Sequence, residues 1–241
     1  MPAELPSPEH KSLENNRVDT AVSAAKALAG LVPVAGSILA ELVGYVIPNQ
    51  RIDRLTRFAT TLDGKLSDAD RETLKLKVQQ PEYVDLLEDA MYQAARALTE
   101  ERIERIASTF KSGITRDEFD AIQKKRLMWL LGQVSDVELI ILNSHIYDVW
   151  STEQEAFYEK HKEILEPHPA HHGSTLEEIN AEEVRKSYLA NLTRLGLIKT
   201  TFSQIDDAFD YDTGMLKANG HRLTRLGRIL LEFAELVDRE R

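Results

Sequence analysis

The sequence predicts a mainly α-helical protein, a multi-helix N-terminal bundle followed by a C-terminal winged-helix-like α+β module. Three observations carry that expectation. From Asn49 to Leu165 apolar residues recur at spacings of three and four, with almost none of the period-two alternation of strands. Four Ser/Thr-x-x-Glu/Gln signatures, at Thr115, Ser135, Ser151 and Thr175, read as capping boxes in which the hydroxyl and the later side chain satisfy first-turn amides. After residue 174 a helical pattern gives way to LIKTTFSQ, an Asn219-Gly220 pair, HRLT and a closing apolar-periodic run, the order helix, strand, wing, strand, helix.

Residues 1–17 read as a flexible N-terminal tail, because they lack the positive n-region and apolar core of a secretory signal. The all-helical body then spans residues 18–165. It opens with the least polar stretch of the chain, residues 21–48, AVSAAKALAGLVPVAGSILAELVGYVIP, whose only charges are Lys26 and Glu41. Gly30 and Pro33 interrupt it, so two short helices joined by a bend are expected rather than one long one. Each arm would be about 20 Å long, short of the roughly 30 Å hydrocarbon core of a bilayer. Gly36, Ala40 and Gly44 put small side chains on one face of the second arm and let another helix approach closely, in lipid or in a protein core. Those three residues are the candidate membrane or self-association face.

Arg51, Arg54 and Arg57 follow on neighbouring turns, opposite Ile52, Leu55, Phe58 and Leu62. Such a basic face could meet lipid headgroups beside the apolar hairpin, or acidic partners within the bundle. Three apolar stripes come next: Val84, Leu87, Met91, Ala95 and Leu98; Ile103, Ile106, Ala107 and Phe110; Phe119, Ile122, Leu127, Leu130 and Leu131. Pro81 fits the first turn of its helix. The run Gln123 to Arg126 reads as a solvated basic face. Residues 166–174, with two prolines and a glycine, are the predicted linker, and 175–241 the winged-helix-like domain, with Val184, Tyr188, Leu192 and Leu195 inward on its first helix.

Chemistry-bearing motifs are sparse. Cysteine is absent, which removes disulfides, thiolate catalysis and cysteine-ligated zinc and agrees with a reducing compartment. His161, His168, His171 and His172 have no closed-site spacing, and Asp206, Asp207, Asp210 and Asp212 lack the EF-hand pattern. No nucleophile elbow, phosphate-cradling glycine loop or His-Glu-x-x-His is present. No enzyme activity, catalytic residue, cofactor or metal is therefore expected. The net charge is −10, and residues 175–241 hold 10 Lys and Arg against 12 Asp and Glu, a balance that favours a protein partner over DNA.

The segment LVPVAGSILAELVGYVIPNQRIDRLTRF resembles the opening signature of the Abi-alpha family, bacterial proteins named for a suggested link to abortive infection, in which an infected cell stops growing and limits phage spread. DAMYQAARALTEERIERIASTF and RLMWLL are similar to that family's helical region, so the resemblance covers residues 18–150. It implies a role in phage defence or growth arrest and supplies no catalytic residues. The combined expectation is a cytoplasmic defence protein, peripheral to the inner membrane when its hairpin engages lipid, and self-associating through the same face. The alternatives are a winged-helix DNA-binding regulator and a non-enzymatic scaffold, each dimerising through the helical region.

Overall fold

A computed structural model describes residues 49–146, 152–166, 171, 173–202, 216 and 218–238. The hairpin of residues 21–48, with Gly36, Ala40 and Gly44, lies outside the described residues, as do Ser151, His168, His172 and the four aspartates of the wing. The described chain is mainly helical, with one two-stranded antiparallel sheet near its C-terminus. None of its helices is long and apolar enough to cross a membrane. Two compact units divide between Trp129 and Leu130.

The first unit is built from α1 (Asn49–Lys65), α2 (Asp68–Lys77), α3 (Pro81–Arg96), α4 (Glu100–Thr115) and most of α5 (Ala121–Gln133). Helix α4 is its hub, packed against α1, α2 and α3. Ile52, Leu55, Phe58 and Leu62 of α1 are buried, as their spacing predicts, together with Leu86, Leu87 and Met91 of α3 and Ile103, Ile106 and Phe110 of α4. Each such side chain stabilises the fold by about 1.5–3 kcal/mol relative to exposure. The contact between α3 and α4 is close: a Cβ added to Gly113 would stand 2.8 Å from Leu86 Cδ2.

Helix starts follow local chemistry. Pro81 occupies the first turn of α3, and Ser67 with Asp70 forms a capping box on α2 that sequence reading missed. The predicted box at Thr115 does not form. Thr115 is the last residue of α4, where its hydroxyl donates to the Lys111 carbonyl, and α5 is instead started by Asp120, which exchanges hydrogen bonds with Gln123. Leu98 and Ile122 also depart from their predicted stripes and are exposed, at 86% and 82%. Leu98 lies in the link between α3 and α4, and Ile122 in the first turn of α5, where the periodicity of the neighbouring helix no longer applies.

The basic run is a solvated face only in part: Gln123 and Arg126 are exposed, and the departure is at Lys124. Lys124 is buried and donates to the Tyr83 hydroxyl at 3.2 Å, Lys125 pairs with Asp85 and Asp89, and Arg126 lies over the Trp129 ring. Tyr83 is contacted by two ammonium groups, Lys124 at 5.2 Å and Lys77 at 5.3 Å from its ring centroid.

The second unit contains α6 (Asp136–Ser144), α7 (Thr152–Lys160), α8 (Lys162–Leu165), α9 (Leu176–Arg194), β1 (Ile198–Phe202), β2 (Ala218–Leu223) and α10 (Arg225–Phe233). Helix α6 packs against α7, α8, α9 and α10. Capping boxes at Ser135 and Thr175 form as predicted. Leu192 and Leu195 are buried as expected, but Val184 is 50% exposed. Sequence reading placed the domain boundary at residues 166–174. Within the second unit, however, α8 is tied to α9 across that segment, because Arg185 donates to the carbonyls of Ile164 and Leu165.

The Asn219-Gly220 pair is not the hairpin turn. Both residues lie within β2, and the register shifts between Thr201 paired with Gly220 and Phe202 paired with Ala218, so Asn219 is the extra residue of a β-bulge. At the other end of the hairpin α9 stops in a Schellman motif. Gly196, at φ 74°, donates to the Thr193 carbonyl, and the Leu197 amide donates to Leu192. The Leu197 carbonyl then accepts from the Thr224 amide and hydroxyl, both at 3.0 Å, while the Thr224 hydroxyl caps α10 by accepting from the Gly227 amide.

Candidate functional site

Of the site residues read from sequence, only the arginines lie among the described residues. Helix α1 presents Arg51 to solvent. Arg54 donates to the Ala95 carbonyl at 3.3 Å, close to the C-terminal end of α3, and Arg57 pairs with Glu100 at the start of α4. Thus Arg57 meets an acidic partner and Arg54 a helix end, where a cation is favoured by the helix dipole.

No group of histidine, aspartate and glutamate side chains suited to a metal ion occurs among the described residues. The His161 ring meets the Phe157 ring at 4.7 Å with the planes tilted by 52°, and burial pushes the His161 pKa below the ordinary imidazole value, with Lys160 adding to the effect.

Two of the clefts formed by described residues open on the second unit. One, of about 430 Å³, is lined by Ile141, Ile164, Val184 and Tyr188 with Glu182 and Arg185 at its polar side. Arg185 is already committed to two backbone carbonyls there. The other, of about 380 Å³, gathers His145, Lys199, Arg222, Thr224, Arg225 and Arg228. Strand pairing creates it: Lys199 on β1 is the direct cross-strand partner of Arg222 on β2, and Arg225 and Arg228 follow on the first turn of α10. No carboxylate is among the described residues lining this cleft. Arg228 reaches out of the group to the buried Glu232, at 3.4 Å.

His145 lies 6.4 Å, ring to ring, from His221. Desolvation by burial holds its pKa below the ordinary value of 6.5, and the charges of His221 and Arg185 act in the same direction. Burial also lowers His221. Both rings are therefore favoured in their neutral form when folded. In the unfolded chain this bias is lost, so between the depressed folded values and 6.5 the unfolded state binds more protons and stability rises with pH. The contribution of the pair is full above pH 6.5 and is lost as pH falls through the folded pKa values. Thermal unfolding followed from about pH 8 to about pH 5 should show Tm falling on the acid side, with a shallower fall for His145→Gln. Equal slopes would rule the histidine pair out as the cause.

Sequence reading noted these cations only as part of a charge count. The signal available was the placement of Lys199 and Arg222 on two strands flanking one hairpin, but their register could not be read once Asn219-Gly220 was taken as the turn. Comparison with protein-family models, with curated proteins and with solved structures finds no match to this chain.

Proposed function

We propose that this chain is a non-enzymatic bacterial defence or growth-arrest protein that acts when residues 21–48 associate with the inner membrane or with a second copy. The observation that carries the proposal is the direct junction of an apolar segment of 28 residues, with two charges, to a helix anchored by Ile52, Leu55, Phe58 and Leu62. An apolar segment attached to a firmly packed helix supplies binding area at one end and a rigid handle at the other. The resemblance of residues 18–150 to Abi-alpha proteins supports the biological setting. Arg51, exposed on the first turn of α1, is available to a headgroup, whereas Arg54 and Arg57 would have to exchange their contacts with Ala95 and Glu100.

Liposome flotation tests this reading, with full-length protein beside a chain lacking residues 1–50 and the double variant Gly36→Leu, Gly44→Leu. Full-length protein is expected to float with bacterial lipids, and the other two to remain in the dense fraction. A full-length chain that neither floats at any salt or pH nor self-associates by light scattering would sink the proposal. A stable dimer without flotation, broken by the double variant, would leave the scaffold reading in its place.

A DNA-reading role gains little from the second unit. Helix α9, which precedes the hairpin where a winged helix carries its groove-reading element, has Glu177, Glu178, Glu182 and Glu183 in its N-terminal half. Four carboxylates there would face phosphate repulsion in a groove.

A further inference from the structure

We propose that the cleft between the β-hairpin and α10 binds the phosphoryl group of a small soluble ligand of nucleotide or polyphosphate type. The inference is independent of residues 21–48 and rests on three features of the second unit. First, Lys199 and Arg222 stand directly opposite each other in the antiparallel pair, so both side chains project from the same face of the sheet. Like charges so placed repel and destabilise a sheet. An anion between them turns that repulsion into shared attraction. Second, among the described residues no carboxylate lies within ion-pair distance of Lys199 or Arg222, in contrast to Lys125, Arg57 and Lys186, which all have acidic partners. Among the described residues these two charges have no acidic partner.

Third, the cleft is completed by the start of α10. Thr224 and Arg225 line it, and the helix dipole adds positive potential at that end. Arginine suits the task because its planar fork matches two phosphate oxygens at once, whereas lysine acts as a point charge. The volume of about 380 Å³ accommodates a compact ligand in a concavity and does not form an extended track. The surrounding chemistry also disfavours a polyanion: α9 is acidic in its N-terminal half and the whole chain carries −10. A small multivalent anion meets the local cations while avoiding most of that opposing field.

Isothermal titration of full-length protein with inorganic pyrophosphate and with ATP, at two salt concentrations, tests the proposal. Binding is expected with both ligands, weakening as salt rises. Lys199→Ala and Arg222→Ala should each weaken it about tenfold, and the double variant Lys199→Glu, Arg222→Glu should abolish it. Lys186→Ala, on α9 and outside the cleft, should bind as wild type does. All variants alter exposed side chains, and an unchanged Tm confirms that a loss of binding is not a loss of fold. Absence of binding to both ligands overturns the proposal, as does binding that the Lys199 and Arg222 variants leave intact. Binding confined to a labelled oligonucleotide, or to anionic vesicles, would overturn the small-ligand assignment in favour of a macromolecular surface.

Discussion

Gly227→Ala is expected to be the most damaging single substitution in the second unit. A Cβ at this position would stand 2.2 Å from the Leu197 carbonyl oxygen and 2.8 Å from Leu223 Cδ1. The leucine methyl can move. The carbonyl cannot, because it accepts from the Thr224 amide and hydroxyl and belongs to the peptide that closes the Schellman cap of α9. Relief of the overlap would push the first turn of α10 away from the strand and break the Thr224 cap on Gly227. Overpacking that forces a backbone to shift costs about 3 kcal/mol. Differential hydrogen exchange should show the loss in α9, β1 and α10 together. An alanine variant whose amides in those elements stay as protected as in wild type would show that the close approach is not required.

The second large effect is expected at Glu138. The residue is 5% exposed, and its carboxylate accepts from the Ser135 amide at 2.7 Å, the Ser135 hydroxyl at 2.8 Å and Asn191 Nδ2 at 2.7 Å. One residue thus completes the capping box of α6 and fastens α6 to α9. Glu138→Ala leaves those donors without their acceptor inside the fold, at about 3 kcal/mol. Glu138→Gln is the sharper test. Its amide has one acceptor oxygen, so satisfying Ser135 turns an NH2 group toward Asn191 Nδ2, a donor that also serves the Gln133 carbonyl at 3.1 Å. The glutamine variant should therefore still lose about 1.5 kcal/mol despite its matching shape. Denaturant unfolding with both variants decides the point. A glutamine variant as stable as wild type would mean that the second oxygen of Glu138 does not matter.

The helical nature of the chain was legible because helix starts and apolar periodicity are local properties. Ser135 with Glu138 and Thr175 with Glu178 needed only three residues of context, and Ile103, Ile106 and Phe110 declared the buried face of α4 by spacing alone. The errors have a common physical origin in rules that do not know where a helix ends. Thr115-x-x-Glu118 satisfies the capping pattern, yet by Thr115 the helix is closing and Asp120 offers a better acceptor for the next one. Leu98 fits the periodicity of α3 two residues after that helix has stopped.

The roles of polar residues were less legible, since they depend on what lies across a contact. Lys124 looks like its neighbours in a basic run, and only the approach of Tyr83, 41 residues away, makes it a buried group. The basic cleft was hidden for the same reason. Net charge over residues 175–241 averages the acids of α9 with the cations that the hairpin register collects, and a sum cannot reveal a separation.

The fastening of α9 to α10 through Leu197 has a consequence for how this chain can change over generations. Two hydrogen bonds from Thr224 to the Leu197 carbonyl, a third from its hydroxyl to the Gly196 carbonyl and one close contact hold the two helices beside the base of the hairpin. Closing a longer loop adds only about 0.6 kcal/mol for each doubling of its length. A lineage can therefore change the length of the connection between β1 and β2 while Lys199 and Arg222 stay in register.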